Sequence, residues 1–161
     1  MVGFMIKVID NFLDQKDYNN ISSIIKHHDF PWRIREKNTP DIPEESPYFT
    51  HCFFNDMEPK SFAFSDMAPF IKKLNAKAII QLRANLTLVR TFKQCGWHTD
   101  YDFDCKTAIL YFSNIGATEV GDQLVESKEN RVVIFDSQTK HRVIGSEKGV
   151  VRIVLNINYY D

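Results

Sequence analysis

Little in this sequence points to a membrane, a secretory route or a polyanion. No apolar run approaches the roughly 18 residues of a membrane span. Met1 to Asp10 carry neither a basic n-region nor a small-residue cleavage site, so no signal peptide is expected. Cysteine is scarce: Cys52, Cys95 and Cys105 are odd in number and spaced like no zinc knuckle. They read as free thiols in a reducing compartment, which places the protein in the cytoplasm. The formal net charge is -1, without the clustered Lys and Arg that non-specific nucleic-acid binding needs. Repeats, low-complexity tracts and Gly/Ser linkers are also missing. The 161 residues are therefore expected to form a single domain, 1–161.

What is present suits a packed core. The chain is 43% apolar and 25% charged, with 13 Phe and 6 Tyr, the balance of an ordinary globular protein. The first part, about 1–75, reads as helical support. Asp14 is a plausible N-cap with Asp17 three residues on, an approximate capping box. Tyr18, Ile21, Ile25 and His28 follow at helical spacing, and the helix should stop before Phe30-Pro31. Glu36 to Pro47 carries three prolines and many charges, the pattern of a long surface loop that could serve as a lid. Tyr48–Phe54 reads as a strand, and a second helix is expected over about Ser65 to Leu74.

From Lys77 the pattern is β, giving a core over about 77–160. Short runs rich in Val, Ile, Leu, Phe and Tyr occupy Ala78–Val89, Lys106–Phe112, Glu119–Val125, Arg131–Phe135, His141–Ile144 and Val150–Tyr159. Turn signals accompany them at Asn114–Gly116, Gly121-Asp122, Glu129-Asn130 and Gly145–Gly149. Strands so spaced suggest a sandwich or barrel, not βαβ units. In the last run, Val151, Ile153, Leu155, Ile157 and Tyr159 share one face; Arg152, Val154, Asn156 and Asn158 share the other. Arg83, Asn85 and Thr87 likewise share a face. Two such polar faces are either solvated outer surfaces or the lining of a small barrel.

The chemistry-bearing residues cluster in this half. In an extended segment His98 and Asp100 point to the same side, and together can grip a metal ion. His141, 43 residues later, can return on another strand. Two His and a carboxylate on one face of an iron, with three positions open, is the non-haem Fe(II) oxygenase arrangement. Zinc hydrolases commonly take such ligands from a helical His-Glu-x-x-His, which is absent here. Arg152 follows on the polar face of the last strand. Burying it is costly without an anion, and its planar fork suits a carboxylate. Other conspicuous residues have plainer readings. His27 and His28 are placed in a helix's last turn, and His51 is a packed or surface residue. Trp97 is expected in the core. Arg33 and Arg35 suit a solvated edge, and Arg90 and Arg142 the surface.

These segments together resemble the 2-oxoglutarate- and Fe(II)-dependent oxygenases, specifically the prolyl 4-hydroxylase-like group. The resemblance is carried by Gly96–Asp100, Lys106–Tyr111, Glu126–Ser137, His141-Arg142 and Val151–Asn158, within about Arg83 to Tyr160, and by the opening Val8–Leu13. The chain is similar to small members encoded by bacteriophages and marine bacteria, which would make it a phage-encoded protein in a bacterial host. The resemblance implies a mostly β (α+β) fold, a double-stranded β-helix or jelly-roll with helices packed on one sheet. It implies His98, Asp100 and His141 as iron ligands and catalytic residues. It also implies Arg152 and Tyr111 on the distal carboxylate of 2-oxoglutarate and Asn85 at the keto-acid end. The implied cofactors are Fe(II), 2-oxoglutarate and O2, with ascorbate as an accessory. The implied reaction is hydroxylation of an unactivated C–H bond, first in a peptidyl proline or other amino-acid residue. Free amino acids and modified nucleotides remain as small-molecule substrates. One segment departs from the family pattern: Val120–Leu124 stands where Gly-Gly-Glu-Leu is usual, which bears on the substrate side. The competing readings are a non-enzymatic jelly-roll that binds a metal or ligand, and a zinc-dependent hydrolase.

Overall fold

The computed structural model describes residues 6–36, 47–90 and 95–161. The loop expected at Glu36 to Pro47 falls almost wholly outside them. The strands are β1 (Lys7–Ile9), β2 (Arg33–Arg35), β3 (Tyr48–Asn55), β4 (Glu58–Pro59), β5 (Ala78–Leu88), β6 (Lys106–Tyr111), β7 (Ala117–Val120), β8 (Gln123–Glu126), β9 (Val132–Asp136), β10 (His141–Ile144) and β11 (Val151–Tyr160). The helices are α1 (Gln15–Ile25) and α2 (Ala68–Lys73), the latter preceded by a 3-10 turn at Phe64–Met67.

All pairings are antiparallel. The large sheet runs β1-β9-β6-β11-β5-β3-β2, with β4 on β3, and a small sheet runs β10-β7-β8. The helices cover the outer face of the large sheet. There Tyr18, Ile21 and Ile25 of α1 and Phe70 of α2 meet Leu82, Ala84, Leu110, Leu155 and Ile157 in the main core. The inner face meets the small sheet through Ile109, Tyr111, Val120, Val125, Val133, Phe135 and Val154. This is the two-sheet jelly-roll with helices on one sheet that the sequence led us to expect.

β11 is central to the large sheet and buried on both faces. Ile153, Leu155, Ile157 and Tyr159 point to the helices. Its polar residues are also buried, with Arg152 and Asn158 each 2% exposed. The polar faces of β11 and β5 therefore line an interior and are not solvated. A sheet with water on one face could not bury a guanidinium and two carboxamides there.

Several local expectations need correction. Glu119–Val125 is not one strand but the β7–β8 hairpin, turned at Gly121 with φ +58. Asp14 has an N-cap backbone, but its side chain makes no capping hydrogen bond. Helix α1 closes at Lys26, whose N–H donates to Ser22 O. His27 and His28 thus lie beyond the helix, exposed. Trp97 is 41% exposed, not core, with the Arg142 guanidinium 4.5 Å from its ring centre. Its segment runs beside β10, paired there through Cys95 and His98, and the side chain opposite His98 meets solvent. Arg142, expected on the surface, is half-buried, bonded to Glu119 Oε2 at 2.7 Å beside Trp97. The other single side chains fall as expected. His51 is packed between Pro31 O (3.0 Å) and Ser61 Oγ (2.8 Å), β2 is an exposed edge, and Arg90 is an exposed residue bonded to Gly149 O.

Candidate active site

His98 and His141 meet as a hydrogen-bonded antiparallel pair. His98 N donates to His141 O at 3.1 Å, and His141 N to His98 O at 2.9 Å. Their ring centroids lie 4.4 Å apart. Asp100, two residues on, projects from the same side of its segment. Its own N–H donates to Ser137 O, and Ser137 N to Cys105 O, which ties the 98–105 segment to the β9–β10 connection. Ligand atoms from His98, Asp100 and His141 all fall within 4.8 Å of one another.

The hydrogen bonds behind these groups determine what they present. His98 Nδ1 lies 3.0 Å from Gly96 O and His141 Nδ1 3.0 Å from Thr139 O. A carbonyl only accepts, so Nδ1 of each ring is its donor there and Nε2 is the nitrogen left for a metal. Asp100 Oδ2 accepts from Asn158 Nδ2 (2.7 Å) and Thr107 Oγ1 (2.9 Å). Its Oδ1 lies 3.5 Å from His141 Nε2. That approach brings the carboxylate oxygen and the ring nitrogen to one place, where a single cation could take both. Burial, then the His141 imidazole, lowers the His98 pKa and keeps that ring neutral. Burial pushes the Asp100 carboxyl up. The His141 imidazole and the Asn158 amide outweigh it and hold the group well below the ordinary carboxylate range. Neutral imidazoles and an ionised carboxylate are the forms that bind metal. Two imidazole nitrogens and one carboxylate oxygen suit a divalent transition metal.

A cavity of about 50 Å³ opens beside this cluster, lined among others by Arg83, Asn85, Thr118, Val154, Asn156 and Arg152, with His98 and His141 at its wall. Arg152 Nη2 donates to Thr118 Oγ1 at 2.7 Å and Nε to Ser127 Oγ at 3.1 Å. Among the described residues no carboxylate pairs with it. Burial lowers its pKa, the mark of a cation whose counter-ion must come from elsewhere. The approach is shaped by Gly116, with φ +75. A Cβ there would stand 2.8 Å from Ile144 O and 3.1 Å from Arg152 Cδ.

Tyr111 is fully buried and lies under this guanidinium, 5.3 Å from its ring centre. Its hydroxyl donates to Thr118 Oγ1 at 2.8 Å. Tyr111 therefore stands behind Thr118, which lines the cavity in its place. Asn85 lines the cavity and accepts from Thr50 Oγ1 at 3.1 Å. The structure thus gathers all six residues picked out in sequence into one region. Thr118, Ser127 and Thr107 were missed, since a hydroxyl residue in a strand carries no signal apart from its partners.

No family model and no curated protein matches the chain. Solved structures do. An oxidoreductase of the 2OG-Fe(II) oxygenase family from Burkholderia pseudomallei aligns over 99% of this chain and 85% of its own, at TM-score 0.71 and 12% identity. A Pseudomonas putida prolyl-4-hydroxylase aligns over 99% and 94%, at 0.64 and 14%. A Trichoplax adhaerens prolyl hydroxylase, solved with a hypoxia inducible factor peptide, aligns over 97% and 83%, at 0.65 and 13%. Across nearly its whole length, then, this chain has the jelly-roll fold of the 2OG-Fe(II) oxygenases.

Proposed function

We propose that the protein is an Fe(II)- and 2-oxoglutarate-dependent dioxygenase that hydroxylates an unactivated C–H bond in an amino-acid residue, with peptidyl proline the first candidate. The observation that carries this reading is the pairing of the His98-Asp100-His141 cluster with a buried Arg152 that lacks a carboxylate partner, both bordering one cavity. A metal site alone would fit a hydrolase. The additional unpaired guanidinium calls for an anionic cosubstrate and adds nothing to hydrolysis. The prolyl hydroxylases among the structural neighbours support the substrate class.

In this reading His98, His141 and Asp100 would hold the iron, which when bound would supply oxygen activation coupled to decarboxylation of 2-oxoglutarate. The protein's own work is placement. Gly96 O and Thr139 O fix the two imidazoles through their Nδ1–H groups, and Asn158 and Thr107 fix the carboxylate. Arg152 and the Thr118 hydroxyl take the distal carboxylate, with Tyr111 holding Thr118 from behind. Asn85 faces the middle of the cavity, toward the keto-acid end. The apolar walls at Ile109 and Val154 exclude water around the reacting centre.

Calorimetry under anaerobic conditions tests this with Mn(II) in place of iron. The wild type should bind one Mn(II) and then 2-oxoglutarate. His141→Ala should lose the metal. Arg152→Ala should keep the metal and bind 2-oxoglutarate about 10- to 100-fold more weakly, since charge-assisted hydrogen bonds contribute roughly 1.5–3 kcal/mol each. Arg152→Lys should recover only part, because an ammonium cannot form the fork. Equal metal affinity in wild type and His141→Ala would refute the assignment.

A further inference from the structure

The cavity holds a second guanidinium that the roles above do not use. Arg83 on β5 lines the cavity on the same face as Asn85. Directly across the ladder from it stands Asn156 of β11. Arg83 Nε and Asn156 Oδ1 are both buried and have no hydrogen-bond partner among the described residues, and Asn156 is 6% exposed. A buried donor and a buried acceptor left unmade at neighbouring positions are expensive in a native interior, which points to a ligand that satisfies both.

Position separates this pair from the cosubstrate's carboxylate end. Asn156 lies four residues along β11 from Arg152, about 13 Å at strand rise. Charge makes the same distinction. With the imidazoles neutral as metal ligands must be, the charged groups at the cavity are Arg83, Arg152 and Asp100. A metal dication and a 2-oxoglutarate dianion cancel each other, and Asp100 offsets one arginine. One positive charge then remains, and among the described residues no carboxylate forms an ion pair with Arg83.

We infer that Arg83 and Asn156 determine substrate specificity by taking the α-carboxylate and the adjoining N–H of an amino acid. The carboxylate supplies the missing counter-charge, and the guanidinium the fork that receives it. Asn156 Oδ1 accepts from the nitrogen one carbon away. The substrate class is then an α-amino acid with a free carboxylate, either a free amino acid or the C-terminal residue of a peptide. An internal peptidyl proline, the first candidate above, gives Arg83 only a neutral carbonyl and Asn156 Oδ1 no N–H, so this pair favours a residue with a free carboxylate over it. This inference rests on the dioxygenase reading of the same cavity.

The test is anaerobic calorimetry on protein loaded with Mn(II) and 2-oxoglutarate. The probes are common free amino acids, and short peptides prepared as paired C-terminal acids and amides. At least one α-carboxylate should bind, with its amide partner about tenfold weaker or worse. Arg83→Gln should erase that difference while leaving 2-oxoglutarate affinity within about threefold of wild type, and Arg83→Lys should keep part of it. Binding by peptide acids but not free amino acids would identify a C-terminal residue as the source; the converse would identify the free acid. Equal binding of acids and amides, no binding by any carboxylate, or an Arg83→Gln protein that loses 2-oxoglutarate would overturn the inference. A wild type that takes up no 2-oxoglutarate would instead refute the parent reading. In that event the Nε–H resonance of Arg83, followed by NMR as the same probes are added without metal, still reports carboxylate binding.

Discussion

Thr118 shows how one hydroxyl can organise a charged pocket. Its oxygen accepts from Arg152 Nη2 and from Tyr111 OH, which uses both lone pairs and leaves its proton to donate. A carboxylate beside Arg152 would thus meet a forked cation and an oriented hydroxyl. Thr118→Val keeps the shape but strands two buried donors. It should cost about 1–3 kcal/mol in urea denaturation and weaken 2-oxoglutarate about tenfold by calorimetry, while Thr118→Ser should restore most of both. Nothing marks Thr118 in the sequence, because its importance comes from partners 7 and 34 residues away. His98, Asp100, His141 and Arg152 were legible for the opposite reason. Their chemistry is uncommon, and alternation along an extended segment is set by local geometry. Trp97 was misread because alternation fixes that it opposes His98, but not whether the opposite side is covered.

Elements were legible where they alternate and obscure where they are short. The two faces of β11 could be assigned from period-two patterning, and its central place between β5 and β6 follows from both faces being buried. β1, β2 and β4 have two or three residues each, too few to show a period. The closure of β1 onto β9 depends on charge. Asp10, just past β1, receives Arg131 Nε (2.6 Å) and Nη2 (3.2 Å) and Lys128 Nζ (2.8 Å). Those bonds, Arg131 first, hold the Asp10 carboxyl well below the ordinary range. A carboxyl depressed in the folded state stabilises above its unfolded pKa, near 4. That contribution disappears as pH falls through the folded value. Asp10→Asn should therefore be less stable than wild type at pH 7 by no more than about 1 kcal/mol, given its exposure. In thermal melts the gap should close as the pH drops below about 4. At the entry to β7, Gly116→Ala would force a Cβ against Ile144 O and Arg152 Cδ in a left-handed backbone. It should lower the melting temperature and weaken 2-oxoglutarate together, because the same strain displaces the guanidinium.

At the scale of the molecule, two packed layers divide the labour. The helices and the outer face of the large sheet form a core that carries no chemistry. That core lets the inner face of β5 and β11 hold Arg83, Arg152 and their asparagines beside the Asp100 carboxylate. The small sheet closes over them and contributes His141 and Thr118 from adjacent strands. A sandwich or barrel was legible because β patterning persists from Lys77 to the C-terminal strand, and the resemblance narrowed it to the jelly-roll. The cavity was not, since whether a polar strand face looks inward depends on a second sheet that no local pattern reveals. The central claim is that this interior activates oxygen at the expense of 2-oxoglutarate. Its most direct test is release of labelled CO2 from 1-labelled 2-oxoglutarate after oxygen is admitted to iron-loaded protein, with no added substrate. Wild type should release CO2 slowly but well above a His98→Ala control, in proportion to oxygen supplied. Identical release from the two proteins would contradict the account.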